Sequence, residues 1–154
     1  MPQPIIAALV YDTGAGGTAD LLLAATTRAL ARNGARLAGA IQHNTDGADG
    51  CLCDMTLEDL ASGRLVLISE KRGPLARGCR LDTSALEEVV GLTASAVERG
   101  ADLLVVNKFG KRESEGKGLA PVIAEALHRD IPVLVGVNGL NIAAFLAFAG
   151  EEIE

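Results

Sequence analysis

The sequence is poor in aromatic residues, with no tryptophan, one tyrosine and three phenylalanines among 154 residues. Almost half of the residues are nevertheless hydrophobic, and glycine occurs 18 times. The core must therefore be built from alanine, valine, leucine and isoleucine, a mixture that suits helices packed on a buried parallel sheet. The length lies in the range of one domain, and we predict a single domain over residues 1–154.

An excess of positive charge is also missing, since the formal net charge is -6. Such a chain has no general attraction for nucleic acid or for an anionic membrane, and any anion site must be created locally by loops and helix ends. No apolar run approaches the roughly 20 residues of a membrane span. The first four residues have no basic segment before an apolar stretch. We therefore predict a cytoplasmic protein with neither nucleic acid nor membrane as a partner.

The cysteine count does not fit a set of disulfides, because three cysteines without a signal peptide indicate reduced thiols or metal ligands. Cys51 and Cys53 lie two residues apart in a glycine-rich segment that follows His43. Cys79 joins them if the chain folds back between these positions. Thiolates favour zinc, copper(I) or reduced molybdenum and tungsten, so the four residues form a candidate metal site. Buried or redox-active thiols are the alternative, and we favour it because the spacing does not show that the cysteines converge.

Apolar runs and amphipathic segments alternate along most of the chain. The predicted strands are residues 5–11, 36–42, 102–107 and 131–137, and the predicted helices are residues 18–32, 84–99, 119–129 and 142–149. This alternation is typical of βαβ units with a parallel sheet. Turn residues interrupt it between about residues 52 and 82, which predicts an inserted β-hairpin with strands near 64–69 and 78–82. We expect a three-layer α/β/α sandwich whose ligands lie at the carboxyl ends of the strands.

The most informative segment is a glycine-rich turn between the first predicted strand and the first predicted helix. Its candidate anion-binding residues are Thr13, Gly14, Ala15, Gly16, Gly17 and Thr18. Glycines allow a ligand to approach the backbone, and a helix start offers unpaired N–H groups with partial positive charge. Thr18 is also predicted to cap the helix through its hydroxyl group, a purely structural role.

The turn matches the phosphate-binding pattern G-x-x-x-x-G-K-[ST] only in part. Gly16 and Thr18 agree with it, whereas Tyr11 replaces its first glycine and Gly17 replaces its lysine. The order of segments nevertheless resembles the small nucleoside-triphosphatases of the thermophile type, which have a P-loop, an inserted hairpin and an acidic Walker B strand. The corresponding segments are residues 59–64, 81–87 and 106–113. The resemblance implies a P-loop NTPase-like fold.

A closer resemblance is to a bacterial family whose genes accompany those of molybdate ABC transporters. It rests on residues 53–55, 59–60, 78–82, 107–111 and 131–137. The resemblance implies a role in molybdenum or tungsten homeostasis. It also implies a partner in the molybdate-transport or molybdenum-enzyme machinery.

Two substitutions predict binding of an anion without cleavage. In P-loop enzymes, a lysine of the loop contacts the terminal phosphates, and acidic residues after a neighbouring strand hold Mg²⁺. Here Gly17 replaces that lysine, and Asn107 and Lys108 replace the acids. We therefore predict an oxyanion site without Mg²⁺, formed by the turn with Asn107, Lys108 and Lys111. The alternative is that both lysines are solvated surface charges.

The leading hypothesis is a non-catalytic binder of molybdate or tungstate, or a carrier of the metal–pterin cofactor. A nucleotide phosphate is the second candidate ligand, which would make the chain a nucleotide-binding protein or a nucleoside-triphosphatase with a deviant P-loop; the sequence leaves catalytic activity open. A third hypothesis is a ligand-free interaction or regulatory module. In that case, residues 142–149 are a candidate interface, and the chain is expected to form a homo-oligomer.

Overall fold

The computed structural model describes residues 5–46, 53–70 and 80–150. The strands are β1 (Ile6–Tyr11), β2 (Leu37–Asp46), β3 (Cys53–Asp59), β4 (Leu65–Leu67), β5 (Ser69–Glu70), β6 (Arg80–Leu81), β7 (Leu103–Val106) and β8 (Val133–Asn138). The helices are α1 (Gly16–Arg32), α2 (Thr83–Arg99), α3 (Lys111–Ser114), α4 (Ala120–His128) and α5 (Ile142–Ala149), with a short 3₁₀ turn at Gly139–Asn141 before α5. None of the helices in these ranges has the length and apolarity to cross a membrane.

Six strands form the main sheet in the order β1-β8-β7-β2-β3-β4. The first four are parallel to their neighbours, whereas β3 and β4 are antiparallel. Burial separates the two faces of the sheet. Val105 and Ile41 pack with Leu23 of α1 on one face, and Val106 packs with Ile123 of α4 on the other. Helices on both faces of a mostly parallel sheet confirm the predicted α/β sandwich.

The four predicted helices and the four predicted long strands are all present, with ends that move by a few residues. The main error lies in the interrupted region. Strand β5 pairs with β6 in a small antiparallel sheet, but β4, which covers most of the first predicted hairpin strand, pairs with β3 instead. However, β3 was missed, and β3 and β4 extend the main sheet. The signal for β3 was the alternation of Met55 and Leu57, which pack in the core, with Thr56 and Glu58.

Two glycines allow the central strands to approach each other closely. A Cβ atom on Gly39 would lie 1.9 Å from the carbonyl oxygen of Val105, and one on Gly136 would lie 2.1 Å from that of Asn107. Both contacts are with backbone atoms, which cannot rotate away. Gly136 therefore fixes the spacing between β8 and the end of β7, where the candidate site lies.

Candidate functional site

The glycine-rich turn begins where β1 ends and delivers the chain into α1. Gly14 has a φ of +95°, and the N–H of Ala15 donates to the carbonyl oxygen of Asp12 at 2.9 Å. This turn closes early, so α1 begins at Gly16 and Thr18 is its third residue. The prediction that Thr18 caps the helix was wrong. No side chain caps α1, because the residue at the cap position is Ala15.

The start of α1 therefore presents unpaired donors. Among the described residues, the N–H groups of Gly16, Gly17 and Thr18 have no acceptor, and the first bond of the helix is from Ala19 to Ala15. Space is open at Gly14 and Gly17, since a Cβ atom on either would meet no atom within 4 Å. Backbone donors at an open helix start are the usual requirement for an anion site.

A cavity of about 480 Å³ lies beside these donors, and we call it the turn cavity. Its described lining residues are Gly14, Gly17, Thr18, Asp20, Leu21, Ala24, Gln42, His43 and Asn44. Asp20 was not among the predicted site residues, and its negatively charged side chain is buried in the wall of a predicted anion site. Its signal in the sequence was an acidic residue on the buried face of α1, two positions after Thr18.

Asp20 contacts side chains from two strand ends. Asn107, just after β7, donates to Asp20 Oδ1 at 2.7 Å and accepts from the backbone N–H of Gln42 at 2.8 Å. Asn44 of β2 lies 3.4 Å from Asp20 Oδ2, and Lys108 Nζ lies 4.0 Å from the same oxygen. We call this set the Asp20 network. Asn107 joins α1 to β2, and Lys108 faces a carboxylate.

The predicted anion-binding residues are thus only partly brought together. Strand β8 lies between β1 and β7, so the strand end beside the turn is that of β8. There, Thr13 Oγ1 lies 3.4 Å from Asn138 Oδ1. Lys108 reaches Asp20 in the second turn of α1 instead, and Lys111 begins α3. Both lysines line a different cavity.

This second cavity, the apolar cavity, has a volume of about 320 Å³. Its apolar lining residues are Ala40, Leu57, Ile68, Leu81, Leu86 and Leu119, and its polar ones are Gln42, Asn107, Lys108, Gly110, Lys111, Arg112 and Glu113. Of all the described lining residues, Gln42 alone is shared with the turn cavity. The Asp20 network therefore stands between two cavities of different character.

Tyr11, at the end of β1, reports on the turn cavity. Burial raises the pKa of its phenol, and the nearby Asp20 carboxylate raises the same pKa further. Its ring lies 3.8 Å from the position of a Cβ atom on Gly16. As the only tyrosine in a chain without tryptophan, it is a spectroscopic probe of the start of α1.

The predicted metal site falls largely outside the described residues. Cys51 and Cys79 lie outside them, and only the backbone of Cys53 is described. His43 Nε2 lies 3.4 Å from Glu58 Oε1 without hydrogen-bond geometry. Within residues 5–46, 53–70 and 80–150, no three His, Cys, Asp or Glu side chains form a metal-binding group. The four-residue site stays a prediction.

The apolar segment at residues 142–149 is α5, and part of it belongs to the core. Phe145 is buried, and its ring and that of Phe148 pack against Phe109 with centroids 5.2 and 5.3 Å away. Leu146 and the preceding Leu140 are exposed. An interface at this segment stays a prediction.

The fold agrees with what the chain is similar to. Residues 6–154 match the family described as "Protein of unknown function (DUF2478)", and the chain belongs to that family. The crystal structure of THEP1 from the hyperthermophile Aquifex aeolicus superposes with a TM-score of 0.63, covering 99% of this chain and 87% of that one. At 13% identity this likeness concerns the fold, and it confirms the predicted P-loop NTPase-like architecture.

One sequence relative is named for its function. The molybdenum import ATP-binding protein ModC 2 of Bradyrhizobium diazoefficiens is 37% identical over 131 residues. The match covers 85% of this chain but 15% of that protein, so the chain spans a small part of its relative. The expected gene neighbourhood beside molybdate transporters stays a prediction.

Proposed function

We propose that this chain binds a tetrahedral oxyanion group at the start of α1 and does not cleave it, within molybdenum homeostasis. The observation that carries the proposal is the uncapped helix start. Three consecutive N–H groups, those of Gly16, Gly17 and Thr18, have no acceptor among the described residues, and Gly17 and Thr18 line the turn cavity. The positive end of the α1 dipole favours an anion at this position.

The side chains around the turn support binding rather than hydrolysis. Hydrolysis in P-loop enzymes depends on Mg²⁺ and on a positioned lysine. Here the residue after β7 is Asn107, whose amide is used in the Asp20 network, and Gly17 occupies the lysine position. Lys108 is directed to Asp20. We therefore expect binding that does not require Mg²⁺ and no release of phosphate.

A nucleotide phosphate is the ligand that the turn cavity favours. The cavity is far larger than one tetrahedral ion, and it is lined by the Asp20 carboxylate without a lysine or arginine among the described lining residues. A free dianion would have no lysine or arginine of that lining to bind, whereas a nucleotide gains further contacts through its other parts. The ATP-binding relative supports the same choice.

Free molybdate or tungstate is the second candidate ligand, and the metal–pterin cofactor is an alternative to the free oxyanion. The observation in its favour is that the ModC 2 relative is a molybdenum import protein. Molybdate and tungstate are tetrahedral dianions that accept hydrogen bonds from backbone N–H groups, as a phosphate does. The relative also supports a partner in the molybdate-transport machinery.

Isothermal titration of the full chain with ATP, GTP, molybdate, tungstate and sulfate, each with and without Mg²⁺, tests the proposal. The decisive variant is Gly17→Asp. It places a carboxylate in open space at the anion position, and an acidic residue in the first turn stabilises a helix, so the fold is kept. Gly17→Ala is the matched control without charge.

We expect nucleotide binding by the parent chain and by Gly17→Ala, its loss in Gly17→Asp, and no phosphate release in a colorimetric assay. Molybdate or tungstate binding with sulfate and nucleotides silent would select the second candidate. Binding that survives Gly17→Asp, or EDTA-sensitive phosphate release, would overturn the proposal, and so would the absence of binding by every anion.

A further inference from the structure

We propose that the apolar cavity is a separate binding site for a small amphiphilic anion, a molecule with an apolar body and one phosphate, carboxylate or sulfonate group. It goes beyond the proposed function, because this cavity and the turn cavity share only Gln42 among their described lining residues. Either site can exist without the other.

The walls of the cavity define the body of the ligand. Six aliphatic residues, contributed by β2, β3, α2, the chain after β4, β6 and the segment before α4, surround about 320 Å³. Packed protein interiors leave few voids larger than a water molecule. A volume of this size, mostly apolar with a few polar groups at one side, is typical of a small-molecule site.

The polar side of the cavity defines the charge of the ligand. Lys108, Lys111 and Arg112 line it, against the single carboxylate of Glu113. That carboxylate is used locally, since it accepts from the backbone N–H of Gly110 at 3.2 Å. Arg112 is held in place by Glu87, with 2.6 Å between guanidinium and carboxylate. Lys111, which is exposed at the start of α3, is the cation best placed for an incoming anion.

The location of the cavity fits a ligand site. Asn107 and Lys108 follow the end of β7, and Gln42 lies in β2 beyond its pairing with β7. Open α/β sheets bind their ligands at this edge, outside the carboxyl ends of the strands. The anionic group would lie near α3, and the apolar body would enter between β3 and α2.

Binding of the fluorescent probe 1-anilinonaphthalene-8-sulfonate to the full chain tests this site, because the probe is itself an amphiphilic anion. Leu86→Phe fills the cavity, and Lys111→Gln removes one of its three cations. Lys117→Gln removes an exposed lysine that does not line the cavity and is the matched control. We expect one saturable site, weakened about tenfold by Lys111→Gln and unchanged by Lys117→Gln. Leu86→Phe should abolish it.

Competition identifies the apolar body. Octanoate is compared with octanol, and a nucleoside 5′-monophosphate with its nucleoside; an anion should displace the probe where its neutral counterpart does not. Equal displacement by the neutral compounds would overturn the proposal. So would an affinity that is the same in Leu86→Phe, Lys111→Gln and Lys117→Gln.

Two further variants keep the result clear. If Leu86→Phe does not fold by circular dichroism, Leu119→Phe fills the cavity from the opposite wall. Gly17→Asp should leave probe binding unchanged, because Gly17 lines only the turn cavity. Loss of the probe in Gly17→Asp, with the cavity variants silent, would place the probe at the turn and overturn this site.

Discussion

The turn cavity and the apolar cavity differ in the origin of their polar groups. The turn cavity offers backbone donors at the start of α1 and contains a buried carboxylate, Asp20. The apolar cavity has aliphatic walls and the side chains of Lys108 and Lys111. Both cavities lie against the Asp20 network, yet the cations lie on the side without the glycine-rich turn.

This difference separates groups that the sequence predicted to lie in one site. The predicted single anion site is divided, because Lys108 meets Asp20 before it can reach the turn. Asn107 keeps a polar link between α1 and the sheet where a metal-binding acid would stand. At the end of β7, the Asp20 network stands where acidic residues were expected from the resemblance, and it lies between the two cavities.

Gly136→Ala is expected to have the largest effect on the comparison, because it displaces Asn107, which belongs to the Asp20 network. Its Cβ atom would lie 2.1 Å from the carbonyl oxygen of Asn107, so β7 and β8 must separate. We expect a loss of about 3 kcal/mol in the free energy of unfolding. Urea denaturation measures it; a loss below that of an exposed Gly→Ala change would contradict the close approach.

Asn107→Ala tests the Asp20 network, which lies between the two cavities. It removes the partner of Asp20 Oδ1 and of the N–H of Gln42, and we expect a loss of about 2 kcal/mol in the free energy of unfolding. In the double variant with Asp20→Asn, the loss should be smaller than the sum, since no charge is then left unpaired. Additive losses in a double-mutant cycle would show that the two residues act independently.

Gly17→Ala changes a residue of the turn cavity that does not line the apolar cavity. Its expected effect on the free energy of unfolding is small and is a gain, not a loss. Gly17 is the second residue of α1, has open space around it and lacks a positive φ. Alanine should therefore stabilise the protein by about 0.5 kcal/mol. Thermal unfolding measures the shift. A destabilised variant would mean that the backbone of the turn needs glycine here.

The smallest expected effect is on the titration of Tyr11. Asp20→Asn removes one cause of the raised pKa, so the pKa should fall towards its ordinary value while burial still holds it above. In the parent chain, the raised pKa contributes stability that is complete below about pH 10 and is lost as the pH rises through the folded pKa. Asp20→Asn should lower the folded pKa of Tyr11, so this stability should be lost over a narrower range of pH.

Ultraviolet absorbance of the phenolate follows this titration with one signal, because the chain has a single tyrosine. Lys117→Gln serves as a charge control distant from Tyr11 in the sequence. A pKa that rises in Asp20→Asn would contradict the placement of Asp20 beside Tyr11.

The sequence was sufficient for the fold because strong local patterns determine it. The apolar runs at β1, β7 and β8 and the amphipathic helices α1 and α2 were found nearly to the residue. Strand β3 was missed, because its alternation is short and adjoins a glycine-rich segment. The turn was also found, since glycines between a strand and a helix have a clear physical meaning.

The arrangement of the site could not be read from the chain alone. Adjacency along the sequence gave no indication that β8 would separate β1 from β7, so Lys108 was assigned to the turn. The role of Asp20 depends on partners 24 and 87 residues away, Asn44 and Asn107. The apolar cavity is made by six residues from separate elements, which no local motif connects.

The position of β1 has a consequence for hydrogen exchange. Among the described strands, β1 is at the edge of the sheet and pairs only with β8, and Val10 on it is half exposed. The element that carries the turn is thus attached along one side only, and local opening of edge elements requires less free energy than opening of the centre. Amide protons of β1 should exchange before those of β7, and an anion held by α1 should slow them selectively. Such protection would reveal a ligand bound at the turn even if that ligand has no absorbance, no measurable heat of binding and undergoes no reaction.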